Sequence, residues 1–199
     1  MTESKVYLLE SKSGDLVEAS LFDDIQDEHL ELWSSTWAPL MRSFRESLDT
    51  FTPEDSHWNW KDKVSEWRNF LGYQFYSIVC SGELQGLMLT TDLYSARIQE
   101  QFGKPIVYVH LLSTAPWNRP ELEPVPRYKG VGRILILCAT QASIEIGYKG
   151  RVGLHSLPKA EVFYEKKCGF TRLGKDSSYY NLTYFELTQT QAESFRRNY

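Results

Sequence analysis

The sequence predicts a protein of the α/β class, and three features of its 199 residues lead to that prediction. Runs rich in aromatic and β-branched residues at 73–80 and 84–91 are typical of strands. The run 106–114, IVYVHLLST, is almost continuously apolar, as expected of a central strand. After Gly132, apolar residues recur at helical intervals over more than three turns. Strands and a long buried helix therefore belong to one fold.

The first third of the chain predicts two strands followed by helices. Residues 5–10 and 16–22 are strand candidates on either side of the turn sequence Ser13-Gly14-Asp15. Residues 24–48 have helical spacing, and Pro39 divides them because proline removes a hydrogen bond from a helix interior. A further helix is predicted to begin at Thr52-Pro53-Glu54-Asp55.

That further helix carries an apolar stripe of Trp60, Val64, Trp67 and Leu71, which is expected to pack on the sheet. Trp58 lies off the stripe and is the better candidate for a pocket wall.

Residues 73–80 and 84–91 predict an antiparallel hairpin through Ser81-Gly82-Glu83. A polar connection at 97–105 leads to the central strand. Residues 115–126 contain four prolines, which excludes regular secondary structure there.

The helix after Gly132 is apolar on opposite sides, so it should be buried on most of its circumference and end at Gly147. A strand at 151–156 precedes a helix that begins near Pro158 and stops at Gly169. Strands at 170–173 and 179–187 follow, with a turn at 174–178. The pair Thr190 and Glu193 has the spacing of a capping box, which predicts a short tail helix.

Composition excludes several classes of protein. The formal charge of −4 gives no electrostatic footprint for nucleic acid. No run of about twenty apolar residues is present to span a membrane. The charged start has no signal-peptide core, so a cytoplasmic location is expected. The three cysteines, Cys80, Cys138 and Cys168, are expected to be buried and reduced, without disulfide or zinc spacing.

Gly130 and Gly132 lie directly before the long helix. The first turn of a helix leaves backbone N–H groups without intrahelical partners, and glycines let a phosphate approach them. Arg127, Lys129 and Arg133 add positive charge. The alternative is a tight strand-to-helix connection with ordinary surface charges. Neither a P-loop nor a dinucleotide fingerprint is present, since Arg133 and Leu135 stand where those motifs need Lys and Gly.

Two motifs together resemble the GNAT superfamily of N-acetyltransferases. Arg127-Tyr128-Lys129-Gly130-Val131-Gly132 matches the pattern Arg/Gln-x-x-Gly-x-Gly/Ala of the acyl-CoA pyrophosphate loop. Residues 160–170, AEVFYEKKCGF, resemble the Ala-x-x-x-Tyr…Gly-Phe segment that closes the GNAT core. Leu157, with Ser156 beside it, replaces an Asn common in the family. One extra residue separates Tyr164 from Gly169, so the helix is expected to be rotated or bulged.

The resemblance covers residues 73–187 and implies the GNAT fold, with a central, mixed, mostly antiparallel sheet of six to seven strands flanked by helices. Residues 1–199 are then a single domain. Within it, residues 1–72 hold the first strand or strands and a helical acceptor-side segment, 73–187 the cofactor-binding core, and 188–199 a tail helix.

The resemblance also implies an acetyl-CoA-dependent N-acetyltransferase that acts on a primary amine of a small molecule. Tyr164 would protonate the leaving sulfur, although Phe163 is the alternative residue facing the thiol. The remaining cofactor-binding residues that the resemblance implies are Leu112, Ser113, Thr114, Arg127, Tyr128, Lys129, Gly130, Val131, Gly132, Arg133, Ser156 and Phe163.

A general base is useful because an amine is mostly protonated at neutral pH. His110 is the candidate, and a packed core histidine is the alternative; His155 has the same two interpretations. Glu54, Asp55 and Asp92 are acidic candidates, expected instead to be solvated surface carboxylates. No third ligand accompanies the two histidines, so no metal is expected.

Two other functions stay open. The acceptor could be a protein N-terminus or lysine, or the domain could be a non-catalytic acyl-CoA sensor. Retention of Tyr164 argues against a sensor. The protein is expected to be a monomer or homodimer.

Overall fold

A computed structural model describes residues 2–47 and 52–197. Its strands are β1 Glu3–Glu10, β2 Leu16–Phe22, β3 Tyr73–Cys80, β4 Glu83–Ser95, β5 Pro105–Thr114, β6 Tyr128–Lys129, β7 Val152–Ser156, β8 Thr171–Asp176 and β9 Leu182–Leu187. Its α-helices are α1 Asp27–Leu32, α2 Ala38–Glu46, α3 Trp60–Trp67, α4 Val131–Glu145 and α5 Gln189–Arg197. Leu48 of the predicted second helix and residues 198–199 of the predicted tail helix lie outside the described residues.

The chain forms two compact units. The first comprises the chain up to Met88 together with Leu112–Gly132, and its strand order is β6-β1-β2-β3-β4. The second comprises Leu89–Leu111 and the chain from Arg133 onward, with the order β4-β5-β7-β9-β8. The domain limits proposed from the sequence, at residues 72 and 187, remain predictions.

Residues 2–47 and 52–197 contain nine strands, so the expected number of six to seven was wrong. Both N-terminal runs form strands, and β6, only two residues long, pairs with β1 through Leu9 and Lys129. The pair β5–β7 is parallel, whereas β1–β2, β1–β6, β2–β3, β7–β9 and β8–β9 are antiparallel. The prediction of a mixed, mostly antiparallel sheet is confirmed.

In the first unit, residues 27–46 form two α-helices, as predicted, but the division does not lie at Pro39. Instead a π-helical turn, Trp33–Trp37, separates α1 from α2, and the Ala38 N–H bonds the Trp33 carbonyl five residues back. Proline at the second position of α2 has no N–H to donate. The wider π-helical turn therefore accommodates Pro39 without ending the helical segment.

The predicted helix start at 52–55 was wrong. Helix α3 begins at Trp60, where the Asn59 side chain accepts hydrogen bonds from the Lys61 and Asp62 amides. Trp60 and Val64 are buried, but Leu71 is 94% exposed because the helix ends at Trp67.

In the second unit, α4 is buried as predicted. The residues on its different sides are all buried: Ile134, Leu135, Ile136 and Ala139. Gly147 follows with φ +82°, the left-handed conformation expected after a helix end.

The segment after Pro158 is not a regular α-helix. A 3-10 turn, Pro158–Ala160, is followed by a π-helical turn, Phe163–Lys167. The Cys168 N–H bonds the Phe163 carbonyl five residues back, at 3.2 Å. This is the bulge expected from the extra residue between Tyr164 and Gly169. Gly169 ends the segment with φ +76°, and the Phe170 N–H bonds the Tyr164 carbonyl.

Two C-terminal predictions were shifted along the chain. Strand β8 continues to Asp176, and the turn before β9 contains Tyr180 and Asn181 with positive φ, so residues 179–181 are not in a strand. The cap of α5 is made by Thr188 and Gln191, each accepting the other's backbone N–H, and not by Thr190 and Glu193.

Cys80 and Cys168 are buried and Cys138 is half-buried, and all three are free thiols. Burial raises the pKa of Cys138 and of Cys168 to about 12, which keeps both protonated. Along residues 2–47 and 52–197, no helix combines the length and apolar composition needed to cross a bilayer.

Candidate functional site

A buried ion pair lies at the end of β5 in the first unit. The Arg119 guanidinium donates to both Asp55 carboxylate oxygens, at 2.6 and 2.8 Å, and its Nε donates to the Thr114 carbonyl. The Ser113 hydroxyl donates to the same carboxylate at 3.0 Å. Asp55 and Arg119 are only 9% and 8% exposed. The expectation that Asp55 is a solvated surface carboxylate was therefore wrong.

Above this pair is a cavity of about 150 Å³ that opens to solvent. Trp33, Trp37, Met41 and Trp60, all buried, supply its apolar walls. Asp55, Ser113 and Arg119 also line it, and so do Ala38, Arg42, Arg45, Ser56, His57, Trp58 and Asn59. Trp58 is thus a pocket wall, as the sequence suggested.

The four-proline segment is fixed to the same unit by Gln85. The Gln85 side-chain oxygen accepts from Trp117 Nε1 at 3.0 Å and from Asn118 Nδ2 at 2.8 Å. Its amide nitrogen donates to the Glu83 carbonyl at 3.2 Å. A single 3-10 turn, Pro116–Asn118, is the segment's regular structure. Through Arg119 and Gln85, the segment is anchored beside the end of β5.

The glycine turn before α4 is open. Gly130 has φ +99°, and a Cβ added to it would meet no described atom within 4 Å. Val131, the next residue, is buried and begins α4. A side chain at this φ is strained, and glycine leaves the space beside the first-turn amides free.

The residues before the turn have structural partners of their own. The Arg127 guanidinium pairs with Glu83 and lies 5.1 Å from the centre of the Trp117 ring. Tyr128 is buried in β6, and its N–H already donates to the Asn118 side chain at 2.8 Å. Lys129 is exposed and forms no ion pair with a described residue. Of the two cations, Arg127 and Lys129, Lys129 is therefore the one more available to bind an anion.

In the second unit, Tyr164 is buried among aromatic rings, with Phe163, Phe170 and Phe185 centred 5.1 to 6.2 Å away. Burial, with a smaller contribution from the Cys168 thiol, raises its pKa well above the ordinary value. The hydroxyl therefore carries its proton at neutral pH.

Three other predicted site residues also lie in this unit. Arg133 donates to the Lys167 carbonyl at 2.8 Å, and its guanidinium lies 4.6 Å from the centre of the Phe195 ring. Ser156 is buried and its hydroxyl donates to the carbonyl of Leu157. Phe163 is half-buried, so it is more accessible than Tyr164.

The two histidines differ in their surroundings. His155 has no exposed side-chain surface; Nδ1 lies 2.7 Å from the Tyr108 hydroxyl and Nε2 lies 3.0 Å from Asp176. Burial and the nearby Arg97 lower the pKa of His155, although Asp176 opposes them. This network favours the packed-core interpretation for His155. His110 is half-buried and lies edge-on to Tyr108, and its role as a base stays a prediction.

Sequence reasoning missed the buried ion pair and Gln85. Asp55 and Arg119 are 64 residues apart, and neither belongs to a motif. Arg119 lies among prolines, where a surface loop was the ordinary interpretation. A buried Arg and Asp can be paired only once the fold is known.

No protein-family model matches the sequence, and no curated protein matches it significantly. Among solved structures, the GNAT domain of S. lividans PAT has a TM-score of 0.57 at 15% identity, covering 93% of this chain and 96% of that chain. A Desulfovibrio desulfuricans protein assigned to the GNAT acetyltransferases has a TM-score of 0.55 at 15% identity, covering 86% and 99%. FeeM, an N-acyl amino acid synthase from uncultured soil microbes, has a TM-score of 0.57 at 10% identity, covering 89% and 95%. This chain therefore has the GNAT fold.

Proposed function

We propose that this protein is an N-acyltransferase that moves an acetyl group from acetyl-CoA to the primary amine of a small molecule. The observation that carries the proposal is the open turn at Gly130, directly before the long helix α4. First-turn amides and the positive end of the helix dipole favour a phosphate, and glycine leaves room for it.

The residues present fit an acyl-CoA donor, although Arg127 and the Tyr128 amide are engaged elsewhere. The exposed Lys129 and the free amides of the first turn of α4 would hold the pyrophosphate. Backbone groups of Leu112, Ser113 and Thr114 at the end of β5 would orient the thioester carbonyl. The ion pair below the cavity holds that strand end in place.

Acetyl-CoA would supply an activated acetyl group: the amine nitrogen would bond the carbonyl carbon, the carbon–sulfur bond would break, and the amine proton would pass to water. Tyr164 is protonated at neutral pH, because burial raises the pKa of its hydroxyl. It is therefore the side chain suited to give a proton to the departing sulfur.

The cavity in the first unit is the proposed acceptor site, because Ser113 of β5 contributes to its lining. Its volume of about 150 Å³ supports a small acceptor over a protein N-terminus or lysine, since a cavity of about this volume accommodates a single benzene ring.

Calorimetry with CoA tests the donor site. Gly130→Trp should abolish measurable CoA binding because the side chain would fill the open turn. Gly14→Trp is the matched control: Gly14 lies in the β1–β2 turn, has φ +79°, and also faces open space. Backbone strain is then similar in both variants. Full CoA affinity in Gly130→Trp would remove the pyrophosphate assignment.

A thiol-release assay with acetyl-CoA and a panel of amines, amino acids, polyamines and peptides tests the reaction. Release with a small amine is the expected result. CoA binding without thiol release for any acceptor would favour the sensor.

A further inference from the structure

We infer that the acceptor is a zwitterion, a small amine that also carries a carboxylate, such as an amino acid with a flat apolar side chain. The inference rests on the proposed function and names the substrate class of the cavity in the first unit. It is argued from the charges at the rim, the carboxylate at the floor and the shape of the walls.

The rim of the cavity is cationic. Arg42 and Arg45 both line it, both are exposed, and they lie three residues apart on α2, on one face of the helix. Neither forms an ion pair with a residue of the described chain. A guanidinium presents a planar fork of donors that matches a carboxylate. The rim is therefore suited to hold a carboxylate.

The floor offers an acceptor for the amine. The Asp55 carboxylate has about four lone-pair positions, and three are used by two Arg119 bonds and one Ser113 bond. One position remains for an ammonium or amine N–H. Ser113 belongs to the end of β5, so an amine held there lies beside the strand proposed to orient the thioester.

Charge balance excludes a simple amine as the preferred ligand. Arg119 and Asp55 compensate each other at the floor, so the two rim arginines leave the cavity net positive. A ligand with only an ammonium group would be repelled by that rim. A ligand with a carboxylate at the rim and an ammonium at the floor matches both ends.

The walls select the shape of the ligand. Trp33, Trp37 and Trp60 are flat and buried, and the Trp37 ring is fixed by a bond from its Nε1 to the Leu84 carbonyl. Rigid aromatic walls favour a planar apolar group over a branched or polar one. Together with the small volume, they fit one ring or a short side chain.

Binding of three probes without any acyl donor tests the inference, with the fluorescence of the cavity tryptophans and calorimetry as readouts. The probes are L-phenylalanine, phenethylamine, which lacks the carboxylate, and 3-phenylpropionate, which lacks the amine. L-Phenylalanine should bind about tenfold or more tightly than either analogue, because each analogue forfeits one charge-assisted contact.

The double variant Arg42→Gln/Arg45→Gln should weaken L-phenylalanine binding by about tenfold and leave phenethylamine unchanged or improved. Lys61→Gln, an exposed cation of α3 that does not line the cavity, is the control and should change nothing. The inference is overturned if phenethylamine binds as well as L-phenylalanine, if the double variant binds L-phenylalanine normally, or if L-phenylalanine does not bind at millimolar concentration.

The test separates this inference from the proposed function. Thiol release with phenethylamine but not with L-phenylalanine would refute the zwitterion and keep the acyltransferase. Binding of L-phenylalanine in the predicted order, without thiol release for any acceptor, would keep the zwitterion site and refute acyl transfer.

Discussion

Removing the charge of Asp55 should destabilise the protein far more than removing a charge from a surface ion pair. Asp55→Asn replaces a carboxylate that accepts two bonds from Arg119 and one from Ser113, in a site where both ion-pair partners are about nine-tenths buried. Arg119 would keep its charge and lose its carboxylate partner, while only 8% of its surface is exposed to water. Breaking a buried pair from one side costs about 3–5 kcal/mol. For a chain of this length that lowers the melting temperature by about 6–20 °C.

The assay is thermal and urea unfolding followed by far-ultraviolet circular dichroism. Glu18→Gln provides the comparison, because Glu18 pairs with Lys5 on the surface, with side chains 53% and 74% exposed. Loss of such an exposed pair should cost less than about 1 kcal/mol. A double variant, Asp55→Leu with Arg119→Met, removes both charges and should be more stable than Asp55→Asn.

The reasoning is refuted if Asp55→Asn costs no more than Glu18→Gln, or if the double variant is as unstable as the sum of its two single variants. Either result would mean that the pair is hydrated and does not hold the end of β5.

Three further predictions concern other sites. Tyr164→Phe should lower turnover by about 10²-fold or more and leave CoA affinity unchanged; unchanged turnover in the thiol-release assay would assign the proton to another group. The pKa of His155 is lowered in the folded protein, so the unfolded chain binds more protons at this residue and stability should fall as the pH drops below about 6.5. Urea unfolding from pH 7 to 5 measures this, and His155→Gln should flatten the slope; an equal slope in the variant contradicts the assignment. Gln85→Leu leaves the half-buried donors of Trp117 and Asn118 without their acceptor and should cost about 1–3 kcal/mol, read by urea unfolding, whereas a neutral result would show that water replaces the side-chain oxygen.

Much of the fold was readable from the sequence because its strands and its longest helix carry strong periodic patterns. The strand at 106–114 and the helix after Gly132 were placed within one or two residues. Both segments are long and apolar, so their burial could be predicted from the sequence pattern.

Failures of prediction occurred where a local signal competed with tertiary contacts. Thr52-Pro53 has the residues of a helix start. Because Asp55 is bound by Arg119, however, helix α3 begins only after the N-cap residue Asn59. Gln191 could be foreseen as helical, but Thr188 was a better cap than Thr190 because it follows β9 directly. Of the cavity in the first unit, only the wall residue Trp58 was suggested by the sequence, since the other lining residues come from segments far apart in the chain.

The Arg133 side chain links helix α4 to the π-helical turn that carries Tyr164. Arg133 is the third residue of α4. Its guanidinium donates a hydrogen bond to the carbonyl of Lys167, the last residue of the π-helical turn that carries Tyr164. A shift of the first turn of α4 would therefore be transmitted through this hydrogen bond to the backbone of Lys167, three residues after Tyr164.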